Sequence, residues 1–110
     1  MTNPKFIAEL RVKFLYPGGK ESDGRIAVGM PTQDEDNQAS CLAVIDGLST
    51  PASTLHGGDS LQALRIALQY LAWELHAFVE RGGRVVDRDG EDVDLPSTFG
   101  QLWAPLEPAG

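Results

Sequence analysis

The chain is poor in cysteine, histidine and basic residues, and it has no long apolar run. A single cysteine, Cys41, excludes an internal disulfide and fits a reducing cytoplasm. No apolar stretch nears the ~20 residues needed to cross a bilayer. The segment Met1-Thr2-Asn3-Pro4-Lys5 lacks the basic-then-apolar pattern of a secretory leader, so a cytoplasmic location is expected. Only 9 Lys plus Arg stand against 16 Asp plus Glu, a formal charge of -7. That balance argues against general nucleic-acid binding, because phosphate repulsion would have to be overcome locally. The two histidines, His56 and His76, are too far apart to form a helical metal-ligand pair.

What is present suits one packed domain over residues 1–110, since 42% of the residues are apolar and 23% charged. The charge is segregated. Residues 1–25 carry five bases and three acids, whereas the remainder carries four bases and thirteen acids. Two acidic clusters stand out, Asp34-Glu35-Asp36 and the run through Asp87, Asp89, Glu91, Asp92 and Asp94. As solvated turns they aid solubility; as an acidic face they would meet a basic partner.

Strict alternation of Phe6, Ala8, Leu10, Val12 and Phe14 with Ile7, Glu9, Arg11 and Lys13 predicts a half-exposed antiparallel strand. Turn residues at 17–19 and 22–24 separate it from a second alternating strand, Arg25 to Met30, which Pro31 ends. An acidic loop, 32–38, leads to the nearly uninterrupted apolar run Ala39 to Ile45, expected as a central strand covered on both faces. These segments predict a three-strand meander over 5–48. Residues 49–58 read as a small-residue connection.

Asp59 then stands where a helix cap belongs, with Gln62 three positions on as the capping-box partner. The helix is predicted over 59–81, stopped by Gly82-Gly83. Leu61, Leu64, Leu68, Leu71, Leu75 and Phe78 form one apolar stripe along it. Ala63, Ile66, Tyr70, Trp73 and Ala77 form another, roughly 160° away at 100° per residue. One sheet covers one side of a helix, so Ile66, Tyr70 and Trp73 call for another cover. Phe99, Leu102, Trp103 and Leu106 of the C-terminal tail offer one. A second copy of the chain or another protein offers the alternative, as an interface.

Arg84 to Leu95 is predicted as a hairpin around Asp89-Gly90, a dipeptide suited to a type I′ turn, and 96–110 as an irregular tail. The expected fold class is therefore α+β: an antiparallel meander packed on one face by one long amphipathic helix, with a hairpin and tail.

Motifs that carry chemistry are sparse. Gly57-Gly58-Asp59-Ser60-Leu61 resembles the phosphopantetheine attachment site of acyl and peptidyl carrier domains. That resemblance implies a prosthetic group on Ser60 and a helical bundle, whereas the upstream stretch predicts strands. A second resemblance covers more of the chain. Cys41-Leu42-Ala43-Val44-Ile45-Asp46-Gly47-Leu48, followed by Asp59-Ser60-Leu61-Gln62-Ala63-Leu64, looks like a family of small bacterial domains of unknown function. It implies a bacterial cytoplasmic origin and a sheet-plus-helix fold, with Asp59 and Gln62 as capping residues and no established activity.

The Gly57-Gly58 loop lacks the lysine and Ser/Thr of a phosphate-binding loop. Set on an EF-hand with Gly90 at position 6, the acidic run has Val85 and Pro96 where the first and last ligands belong, so no metal is assigned. Cys41 sits in an apolar strand without an adjacent base. Ser60, His56 and Asp59 are too close in sequence to converge readily as nucleophile, base and orienter. No catalytic residue and no cofactor are assigned. The function expected is a non-enzymatic interaction domain that self-associates as a homodimer or masks a basic protein, as an immunity protein or antitoxin does. The alternatives are a carrier modified at Ser60 and a single-stranded nucleic-acid binder using Arg11, Lys13 and Arg25 beside Tyr16.

Overall fold

The computed structural model describes residues 5–36, 38–50 and 52–103. It has an α+β fold in which one long helix lies on a six-stranded sheet whose strand pairs are all antiparallel. The strands are β1 (Phe6–Leu15), β2 (Glu21–Gly29), β3 (Thr32–Gln33), β4 (Ala39–Asp46), β5 (Ser53–Gly57) and β6 (Arg84–Val86). The helices are α1 (Ser60–Glu80) and α2 (Leu95–Phe99), the latter running into a short 3-10 turn, Gly100–Leu102. β1 pairs with β2 and β2 with β4, as the meander requires.

Two strands escape the sequence pattern. The acidic loop 32–38 begins with β3, and the small-residue connection 49–58 contains β5. Both pair with β4, which binds Gln33 on one side of Ala39 and Gly57 on the other. Neither segment is long or apolar enough to announce itself; each is a strand because β4 presents unpaired backbone groups there.

The inner face of the sheet carries Val12 and Phe14 of β1, Ile26 and Val28 of β2, and Ala39, Cys41, Ala43 and Ile45 of β4, all buried. Phe6 does not join them. A bulge between Phe6 and Ala8 pairs Phe6 with Gly29, and the one-residue shift turns its ring to the outer face, over Arg25. Cover of the outer face of β4 is incomplete: Val44 is buried, but Ser40 and Leu42 are only half so.

α1 lies along β4 and β5 and buries chiefly the C-terminal part of the first predicted stripe, Leu71, Leu75 and Phe78. Ala63 of the second stripe and Ala67, which lies between the two, are buried with them. Leu61, expected in the core stripe, is 78% exposed. Small residues let the backbones approach. A Cβ on Gly57 would sit 2.7 Å from the Ala63 nitrogen, so the close seat of α1 on β5 needs glycine at 57.

Both ends of α1 form as expected. Asp59 Oδ1 accepts from the Gln62 N–H at 2.8 Å, while Gln62 Oε1 accepts from the Gly58 N–H, one residue earlier than the capping box predicts. At the far end the Gly82 and Gly83 N–H groups donate to the carbonyls of Val79 and Phe78, with Gly82 at φ +98. This is a Schellman stop, which an L side chain at Gly82 would strain.

The predicted hairpin is shorter than expected. β6 pairs with β1, and its return limb is a single bridge, Val86 to Asp92. The Gly90 N–H donates to the Asp87 carbonyl, so the tight turn spans 87–90 and Gly90, at φ +84, follows it rather than sitting at the centre of a two-residue type I′ turn. Asp87 closes it instead, its Oδ1 accepting from the N–H groups of Asp89 and Glu91. The tail is not irregular throughout: Asp94 caps α2 by accepting from the Ser97 N–H, and Pro96 fits the first turn.

Candidate functional site

A mainly apolar hollow lies beside α1. A groove of about 380 Å³ is floored by Ala8, Leu10, Ile26 and Val28. One wall is Leu68 and Leu71 of α1, and the other is Thr98, Phe99 and Leu102. The groove exists because α1 sits over β4 and β5, leaving the N-terminal half of β1 uncovered: Ala8 is exposed and Leu10 is 37% exposed. Along that half β1 has, among the described residues, only β2 as a partner, since β6 pairs no further than Lys13.

Outside the groove, the outer face of β1 and β2 is charged. Arg25 binds Asp46 through Nε at 3.1 Å and Glu9 through a terminal nitrogen at 3.3 Å, with its guanidinium carbon 4.6 Å from the Phe6 ring centre. Arg11 lies 3.8 Å from Glu9, and Lys13 lies 4.0 Å from Glu21. These pairs face solvent and contribute about 0–1 kcal/mol each. Tyr16, expected as a stacking platform, donates its hydroxyl to the Gly47 carbonyl at 2.8 Å and packs edge-on against Phe78.

The chain belongs to the family described as Domain of unknown function (DUF6968). The model of that family matches residues 11–97, which spans β2 to β6, α1 and the second half of β1. No curated protein and no solved structure matches the chain. The matched range includes Asp59 and Gly82, and the family's description assigns no activity.

The residues singled out in the sequence fall in separate places. Of the helix trio, Ile66 and Tyr70 are half-buried, and the Tyr70 hydroxyl accepts from Ser53 at 3.1 Å; Trp73 is 44% exposed. The described part of the tail, through Trp103, does not cover them. Phe99 and Trp103 fold onto the opposite flank of α1, where Trp103 lies 4.9 Å from the His76 ring and the Leu102 carbonyl accepts from Gln69. Leu106 is outside the described residues.

The acidic clusters do not form one face. Asp34, Glu35 and Asp36 follow β3, whereas Asp87, Asp89 and Asp92 follow β6, at the other end of the strand order. Several of these carboxylates serve their own loops. Asp34 accepts from the N–H groups of Asp36 and Gln38, and Asp92 pairs with Arg84 at 3.0 Å. Ser60 opens α1 and is half-buried, but α1 lies on a sheet rather than in the bundle the carrier resemblance implies. His56 projects from the outer face of β5, and Asp59 is engaged as the cap.

Cys41 is buried, donates its thiol to the Gly29 carbonyl at 3.3 Å, and has its pKa pushed up by burial. Among the described residues no group of three or more His, Cys, Asp and Glu side chains is placed to share a metal ion. None of the helices among the described residues is long and apolar enough to cross a membrane. The groove is the feature that sequence reasoning missed. Its trace was the alternation Ala8-Leu10-Val12, whose apolar face outruns the single helix available to cover it.

Proposed function

We propose that this chain is a non-enzymatic protein-interaction domain of the bacterial cytoplasm, acting by self-association or by holding a basic protein, in the manner of an immunity protein or antitoxin. The observation that carries it is the apolar groove floored by Ala8 and Leu10 of β1, a strand whose edge from Ala8 to Val12 is unpaired among the described residues. Such a surface offers apolar area and free backbone groups together, the combination used when a strand is added to a sheet. The 44% exposed Trp73 supports the same reading on the other flank of α1. The acidic surplus supports a basic partner, through the exposed Glu35, Asp36 and Asp89.

Native intact-mass spectrometry of the purified chain, alone and after gentle isolation from its host, tests the proposal. A bare dimer, or a one-to-one complex with one basic protein, is expected. A monomer heavier by a phosphopantetheine group on Ser60 would overturn it in favour of a carrier. A salt-dependent shift with a single-stranded oligonucleotide would favour the Arg11, Lys13 and Arg25 face instead. The Trp73→Ala variant should keep its helicity, and lost partner binding there would place the contact on that flank.

A further inference from the structure

We propose that two copies of this chain pair through the edge of β1 that is unpaired among the described residues, Ala8 to Val12, in an antiparallel two-fold register centred on Leu10. The inference rests on the interaction reading above and names its partner, a second copy, and its surface. It starts from the backbone. The Tyr16 N–H donates to the Lys20 carbonyl at 2.8 Å, and Tyr16 continues the register in which Leu15 faces Glu21. In an antiparallel ladder the bonded residues alternate, so Phe14, Val12, Leu10 and Ala8 direct their main-chain groups to β2. Glu9 and Arg11 direct theirs outward, to the edge where β6 no longer reaches.

Pairing two copies on this edge keeps like faces together, so even-numbered residues must meet even-numbered ones. A centre at Val12 would need Lys13, which β6 already holds, and one at Ala8 would need Ile7 at the bulge, so three two-fold centres remain. A centre at Glu9 sets glutamate against glutamate, and a centre at Arg11 sets arginine against arginine. Like charges directly opposite destabilise a strand pair. The centre at Leu10 sets Glu9 against the partner's Arg11 and Arg11 against the partner's Glu9. It also sets Leu10 beside the partner's Leu10, and Ala8 beside the partner's Val12.

Each consequence of that register is favourable. Glu9 and Arg11 become hydrogen-bonded pairs, so about four main-chain bonds form across the two-fold. The Arg11 side chain, 71% exposed and only 3.8 Å from its own Glu9, gains a carboxylate directly opposite. Leu10 becomes a non-bonded pair, in which side chains lie closest, at about 4.5 Å between Cα atoms. Its exposed surface and the groove floor are thereby extended across the joint by the same residues of the second copy. The surface is self-complementary, as an isologous contact requires.

Sedimentation velocity across a range of concentrations tests the proposal, with circular dichroism to follow the fold. The chain should dimerise. Arg11→Glu should weaken the dimer by about tenfold or more, because glutamate then faces glutamate twice. Adding Glu9→Arg to Arg11→Glu should restore it, since the charges then oppose again with their places exchanged. Arg11→Pro removes an outward N–H without touching the β2 ladder, so it should leave a folded monomer.

Hydrogen exchange on the unaltered chain gives an independent readout: the Glu9 and Arg11 amides should be protected in the dimer and lose protection on dilution. A dimer indifferent to these substitutions, with unprotected Glu9 and Arg11 amides, would overturn this edge while leaving self-association through another surface intact. A chain that stays monomeric at every concentration would overturn the pairing itself. The wider interaction reading would then rest on the basic partner.

Discussion

Beneath α1 the sheet is sealed: Ala39, Cys41, Ala43 and Ile45 of β4 meet Ala63, Ala67, Leu71 and Leu75, with every side chain buried. At the other end of the same face, Ala8 and Leu10 of β1 stand in an open groove, although they alternate as regularly as Val12 and Phe14. The two regions are alike in sequence pattern and differ in what lies over them. One helix of 21 residues has been placed on β4 and β5, and the short α2 reaches only the groove wall. Apolar alternation therefore marks a face that needs cover, without saying whether the chain itself provides it.

That difference can be broken from the sealed side first. Phe14→Ala should cost most, about 3–5 kcal/mol, because the ring is fully buried and meets Phe78 edge-on at 5.6 Å. Urea unfolding followed by circular dichroism would measure it, and a cost under 1 kcal/mol would mean that the core tolerates the hole. Gly57→Ala should cost about 1–3 kcal/mol, since the new Cβ meets backbone of α1 rather than a flexible side chain. Unchanged stability there would show that α1 does not seat as closely as described. Asp59→Ala should cost about 1 kcal/mol through the lost bond to the Gln62 N–H, with oligomeric state unaltered. Loss of partner binding in a folded Asp59→Ala protein would instead give the cap a functional role.

Cys41 gives a smaller effect, confined to alkaline solution. Burial raises its pKa in the folded chain, so the unfolded thiol loses its proton first as pH rises. The contribution is complete below the ordinary thiol range and is lost as pH climbs above it. Stability should therefore decline at alkaline pH, and Cys41→Ala should flatten that decline in a pH series of urea midpoints. On the open side, Leu10→Ser should change the stability of the monomer by no more than about 0.5 kcal/mol. A large loss there would mean that the groove floor is core after all, and the contrast between the two regions would disappear.

The local features were legible because their causes are local. Asp59 and Gln62 cap α1, Gly82 stops it, and the period of two in β1 and β2 survives into paired strands, since each depends on residues within a few positions. That the chain falls in a family of unknown function was legible as well, and the family model matches residues 11–97. The outward direction of the Glu9 and Arg11 main-chain groups also follows from alternation, once the turn at Tyr16 and Lys20 sets its phase.

Tertiary structure alone decided the rest. β3 and β5 are strands because β4 has free edges on both sides, a fact that Thr32-Gln33 and Ser53–Gly57 do not carry in their own composition. The bulge at Phe6 exchanged its face by a one-residue shift that no periodicity announces. α1 turned the first stripe toward the sheet only from Leu71 on, with Ala63 seated close against Gly57 at its start, leaving Leu61 and Trp73 at the margins. Where one helix settles on a sheet wider than itself is decided by the sum of such contacts, and so is the strip of apolar surface left bare. Sequence alone determined which residues want cover; packing decided which of them received it, because a helix buries one arc against whatever surface lets it come nearest.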